Sequence, residues 1–189
     1  MYNKKNRILI KLLKFSLVFP IIIIIGCNGH ESNESAVNKN VTTEKKSASV
    51  KVINDTDLAG IIKNRNGKIL FLNLWATWCE PCVEEFPDIV KLDENYKYKN
   101  VEVIAVSVDL PSDVSDKVIP FLKNQDAKFK VYVAEEKSSE KIIELLNSEW
   151  SGAVPASFIY DESGKQKKFL LGLQTYNEMV SGIESIKTL

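Results

Sequence analysis

The sequence predicts an α/β fold of three layers, a central mixed sheet flanked by helices. Three observations carry that expectation. Two stretches, residues 68–75 and 101–108, are near-continuous apolar runs, the pattern of parallel strands covered on both faces. Helical patterns separate the runs, as crossovers between parallel strands require. The last two strand-like runs are instead joined by the short turn Glu162-Ser163-Gly164-Lys165, so a parallel half is followed by an antiparallel hairpin.

In order, residues 50–53 form a short strand and residues 55–63 a short helix capped by Asn54 or Asp55, and Asn66-Gly67 makes a tight turn. Residues 68–75 are the first buried strand. A helix follows over residues 80–96, with Pro81 in its first turn and Pro87 inside it, where the ring should kink it. Residues 101–108 are a strand, and residues 115–125 a helix interrupted or started late by Pro120. Residues 129–134 are a strand. Residues 138–148 form an amphipathic helix with Ile142, Ile143, Leu145 and Leu146 inward. Residues 156–161 and 167–172 are the hairpin strands, and a helix over residues 176–187 closes the domain.

The chain of 189 residues divides into three parts: residues 1–26 a lipoprotein signal peptide, 27–49 a lipidated cysteine and flexible tether, and 50–189 the folded domain. Residues 1–26 carry five basic residues and no acidic ones, and an uncharged apolar run over residues 15–25. That run of 11 residues is roughly 16 Å long as a helix, too short for a hydrocarbon core of about 30 Å. A retained signal anchor would have to place Lys11 and Lys14 in the bilayer. Ile24-Ile25-Gly26-Cys27 resembles a bacterial lipobox, in which the cysteine becomes the lipid-modified first residue, and this accounts for the odd one of three cysteines. Residues 28–49 contain no aromatic residue, Leu or Ile and read as a tether with a span of roughly 25 Å. The expected location is the cell envelope, lipid-anchored to a bacterial membrane with the domain outside the cytoplasm.

Without residues 1–26 the chain holds 20 basic against 25 acidic residues and has no basic cluster among aromatics, which argues against nucleic acid as a partner. His30, the only histidine, falls in the tether, so no Cys/His catalytic pair is available to the domain.

The chemistry concentrates at Trp78-Cys79-Glu80-Pro81-Cys82, where a strand runs into a helix. Cys79 falls near a helix N-terminus, where unpaired N–H groups and the helix dipole stabilise a thiolate below its free pKa of about 8.5. It is the candidate nucleophile. Cys82, one turn further on, is close enough to close a disulfide with Cys79 and displace whatever that sulfur has attacked. Glu80 places a negative charge beside the thiolate and partly cancels the dipole, which favours a reductant over a disulfide donor.

With this motif after a strand, and Val154-Pro155 opening a terminal hairpin some seventy residues later, the domain resembles the thioredoxin superfamily. More narrowly it is similar to the membrane-tethered thiol–disulfide oxidoreductases of the TlpA and ResA type. The resemblance implies a thioredoxin-like fold, a cis Pro155 beside the disulfide, and Val154 facing an extended substrate. Trp78 offers substrates a surface; Trp150 lines the same groove or packs in the core. The position held by a buried acid in thioredoxins is Asn73 here, and the resemblance makes Glu85, on the same helix face as Cys82, the substitute that takes the proton of Cys82.

The expected activity is reduction of protein disulfides, apocytochrome c or other exported thiol proteins, with no cofactor beyond the Cys79–Cys82 disulfide and no metal. The expected partners are protein disulfides and an integral-membrane electron donor of the DsbD or CcdA type, and the expected state is a monomer. One alternative is a thiol peroxidase-like antioxidant protein, although that family has threonine three residues before its cysteine and Thr77 is two before Cys79. A metal carrier would need a second ligand pair, which the domain lacks. A non-catalytic tethered binding module is the other alternative.

Overall fold

A computed structural model describes residues 50–187. The signal segment, Cys27, the tether and His30 therefore lie outside the described residues. Six strands form one mixed sheet: β1 (Lys51–Ile53), β2 (Ile69–Trp75), β3 (Val101–Ser107), β4 (Lys130–Ala134), β5 (Ala156–Tyr160) and β6 (Gln166–Leu171). The spatial order is β1-β4-β3-β2-β5-β6. The first four strands are mutually parallel, and β5 runs antiparallel to both β2 and β6. Helices α1 (Asp55–Lys63), α2 (Glu80–Tyr96), α3 (Ile119–Asn124), α4 (Ser139–Leu146) and α5 (Tyr176–Lys187) cover the two faces.

Strand β2 is buried along its whole length, and its alternation divides the core. Ile69, Phe71 and Trp75 point to the face packed by residues of α2, α3 and α5, whereas Leu70, Leu72 and Leu74 point to the face packed by α1 and α4. Phe86 of α2 anchors the first face, with its ring 4.6 Å from Trp75 and 4.9 Å from Phe121.

Local chemistry explains the boundaries. Asn54 caps α1 in a reciprocal capping box with Asp57. Asn66 and Gly67 both have positive φ, the geometry of a type I′ turn, and feed β2 directly. Helix α2 runs on through Pro87.

The region around Pro120 differs from the expected single helix. A 3₁₀ turn (Pro111–Asp113) and a π-helical turn (Val114–Val118) precede α3, so the winding starts at residue 111 rather than 115. Pro120 has no N–H to offer the carbonyl of Asp116, and the turn before it widens until Ile119 N–H reaches Val114 O. Helix α4 is shorter than the apolar pattern suggested. Ile142 and Leu146 are buried, whereas Leu145 is exposed. Strand β5 ends one residue earlier than predicted, because Asp161 leaves the ladder to accept from the N–H groups of Ser163 and Lys165 in the turn, and β6 runs over residues 166–171 rather than 167–172.

Candidate active site

The end of β2 delivers residues 76–79 to the start of α2, and Cys79 is the N-cap of that helix. Cys82 N–H donates to Cys79 Sγ at 3.3 Å, as expected for a sulfur that takes the place of a capping oxygen. Cys79 and Cys82 form a disulfide with their Cα atoms 5.2 Å apart. Cys79 is 5% exposed and Cys82 not at all, so an external sulfur can meet only Cys79. Pro81 occupies the first turn, where its missing N–H costs nothing, and exposed Glu80 precedes it. Trp78, 67% exposed, stands beside the nucleophile. Trp75 lies in the core beneath it.

The loop before β5 closes the other side. The Val154–Pro155 peptide bond is cis, and Val154 O lies 3.6 Å from Cys79 Sγ. Gly152 sets up this loop with φ +85°, and a Cβ there would come within 2.8 Å of Ile143 Cδ1. The structure decides between the two readings of Trp150, against the groove and for the core. Trp150 does not line the groove as a substrate contact, because it is 4% exposed and packs edge-on against Phe158. Its Nε1 instead donates to Ala153 O at 2.8 Å and supports the loop from within the core.

Glu85 falls on the buried stripe of α2 with Cys82, Phe86 and Ile89 and is 2% exposed. Burial pushes its carboxyl up from 4.5 to about 7. Two hydrogen bonds oppose that push: Gln174 N–H to Oε2 at 2.8 Å and Asn73 Nδ2 to Oε1 at 2.7 Å. Nearby Asp88 adds a smaller upward influence. A carboxyl poised near neutrality and one helical turn from Cys82 can hold or release a proton near neutral pH.

Three contributors escaped the sequence reading. Asp109, 2% exposed at the end of β3, accepts from Thr77 N at 2.9 Å and from Thr77 Oγ1 at 2.5 Å, and Ser107 Oγ donates to it at 2.6 Å. It pins the loop that carries Trp78 and Cys79. Ser157 pairs with Asn73 across β2 and β5, and its Oγ accepts from Asn73 Nδ2 at 3.0 Å. Gln174 reaches Glu85 through its backbone alone. The Ser-Val-Asp run after a buried strand was the only visible signal, since a polar pair there must find partners.

Among the described residues no cluster of His, Cys, Asp and Glu is placed to hold a metal ion, and no helix is long and apolar enough to cross a membrane.

A disulfide at a helix entrance, facing a cis-proline loop on a helix-covered mixed sheet, defines a thioredoxin-fold thiol–disulfide oxidoreductase. Comparison with known proteins agrees. A model of the AhpC/TSA family matches residues 36–168. Thiol-disulfide oxidoreductase ResA from a strain of Bacillus cereus is 31% identical over 97% of this chain and 98% of its own length. The solved thiol:disulfide interchange protein of Chlorobium tepidum TLS superposes with a TM-score of 0.55 at 23% identity, covering 64% of this chain and 81% of that one. StoA from Bacillus subtilis does so with a TM-score of 0.51 at 21% identity, covering 62% and 84%. The chain belongs to the AhpC/TSA family and, within it, to the thiol–disulfide oxidoreductases of the ResA type.

Proposed function

We propose that this oxidoreductase works outside the cytoplasm, on a lipid anchor at Cys27, as a reductase of protein disulfides. The observation that carries the reading is the asymmetry of the pair: Cys79 has an accessible edge beside Val154 O, and Cys82 is fully buried on the same helix as buried Glu85. In the dithiol form, the Cys79 thiolate attacks one sulfur of a substrate disulfide and the other sulfur leaves as a thiolate. Cys82 gives its proton to Glu85 and attacks Cys79 Sγ; the second substrate sulfur leaves, and the Cys79–Cys82 disulfide remains. Two electrons have passed to the substrate.

An extended peptide would reach Cys79 by pairing with the backbone at Val154, independent of its side chains, while Trp78 supplies an apolar contact. Glu80 in the first turn supports the reductive direction. An oxidising compartment keeps no thioredoxin pool, so an integral-membrane donor of the DsbD or CcdA type would restore the dithiol. Apocytochrome c and other exported thiol proteins are the proposed substrates.

The test is a trap. Cys82→Ser should accumulate mixed disulfides through Cys79 with exported cysteine proteins, and the wild type should reduce insulin disulfides once supplied with a dithiol. No adducts and no insulin reduction, with turnover of peroxide instead, would replace this reading with the peroxidase one.

A further inference from the structure

Asn73 stands where thioredoxins hold a proton-carrying acid, and its amide is placed with unusual economy. It is 0% exposed. On β2 it shares the face of Phe71 and Trp75, beneath α2, and it lies directly opposite Ser157 of β5. Both hydrogens of Nδ2 are committed, one to Glu85 Oε1 at 2.7 Å and the other to Ser157 Oγ at 3.0 Å. The oxygen, Oδ1, has no partner.

This orientation suits Glu85 only as a carboxylate. Once Oε1 carries a proton, an N–H and an O–H would face each other. A primary amide has nearly the same outline after a half turn about its Cβ–Cγ bond, and that torsion is soft. Turned over, Oδ1 occupies the former place of Nδ2 and accepts from the Glu85 O–H and from the Ser157 O–H. Each orientation leaves one polar position of the amide unpartnered, so neither is locked in.

We propose that Asn73 is a positioning residue that turns its amide over as Glu85 gains or loses its proton. It donates to the carboxylate and accepts from the neutral acid, and Ser157 Oγ is its second partner in both orientations. The proton that Cys82 gives up can then be stored on Glu85 without repacking the core. The other groups that face Glu85 do not offer this. The Gln174 N–H from the segment before α5 only donates. Asp88, on the same helix as Glu85, is itself engaged by Tyr176 N–H. The proton's origin on Cys82 rests on the proposed function; the amide exchange does not.

The experiment is NMR on the full oxidised chain through a pH titration, following the Glu85 carboxyl carbon, assigned by its loss in Glu85→Gln, and the Asn73 side-chain amide. The amide signals should move with the same midpoint as the carboxyl. In Asn73→Leu the Glu85 midpoint should rise by about one pH unit, because the charged form loses a donor. In Asn73→Asp, whose shape is closest to wild type, two carboxyls should share one proton and titrate in two separated steps. An Asn73 amide that stays fixed through the Glu85 titration, or a Glu85 midpoint unmoved in both variants, overturns the proposal. Were the amide to follow Glu85 while Glu85→Gln left turnover unchanged, the amide exchange would stand and the role of Glu85 as proton acceptor would fall.

Discussion

Glu85 binds its proton more tightly in the folded chain, where its carboxyl titrates at about 7, than in the unfolded chain, where it titrates near 4.5. Between those values folding takes up a proton, so this group's contribution is most favourable below pH 4.5 and is lost as pH rises through 7. At about 1.4 kcal/mol for each unit of pKa difference, the loss is about 3 kcal/mol. Denaturant unfolding from pH 4.5 to 8 should therefore show a downward slope in the wild type that Glu85→Gln flattens. An equal slope in both would mean that the carboxyl is ionised in the fold at low pH. In the proposed role of Glu85 as proton acceptor, the burial that raises its pKa costs stability at neutral pH.

Among the elements, the two-residue contact between the β2–α2 loop and the end of β3 is the most exposed to test. Asp109→Ala leaves the half-buried Thr77 N–H and the Thr77 and Ser107 hydroxyls without their acceptor, and should cost about 2–3 kcal/mol in unfolding free energy. Thr77→Val keeps the backbone bond and should cost about 1 kcal/mol. Equal costs for the two would assign the grip to the side-chain hydroxyl alone. Asp109 also shows where sequence reading stopped. The cysteine pair, α2 and the position of Glu85 were legible because they depend on spacing within one helix, which the 3.6-residue period sets. The partners of Glu85 were not, because Asn73, Ser157 and Gln174 meet it only through strand register and a backbone N–H. Trp150 was ambiguous for a related reason: a tryptophan next to a loop can face either way, and only the pairing of its indole with Ala153 O decides. The early winding at Pro111 was hidden because proline and charged residues there read as loop.

At the scale of the whole molecule, the proposed lipid anchor at Cys27 would decide what the enzyme can reach. Labelled palmitate should enter the wild-type chain in its bacterial host and not Cys27→Ser; equal labelling would remove the anchor from the proposal. The finished site draws on residues from β2, α2, the end of β3, the loop before β5 and the segment before α5. Gln174, which completes the surroundings of Glu85, lies 89 residues beyond it. Synthesis at about 5–20 residues per second puts roughly ten seconds between the emergence of the cysteines and that of the last residue that encloses them. Throughout that interval both sulfurs are open to any oxidant or foreign thiol. A spacing of three residues makes each the other's nearest available partner, so the same arrangement that performs exchange in the mature enzyme guards the nascent chain against cross-linking.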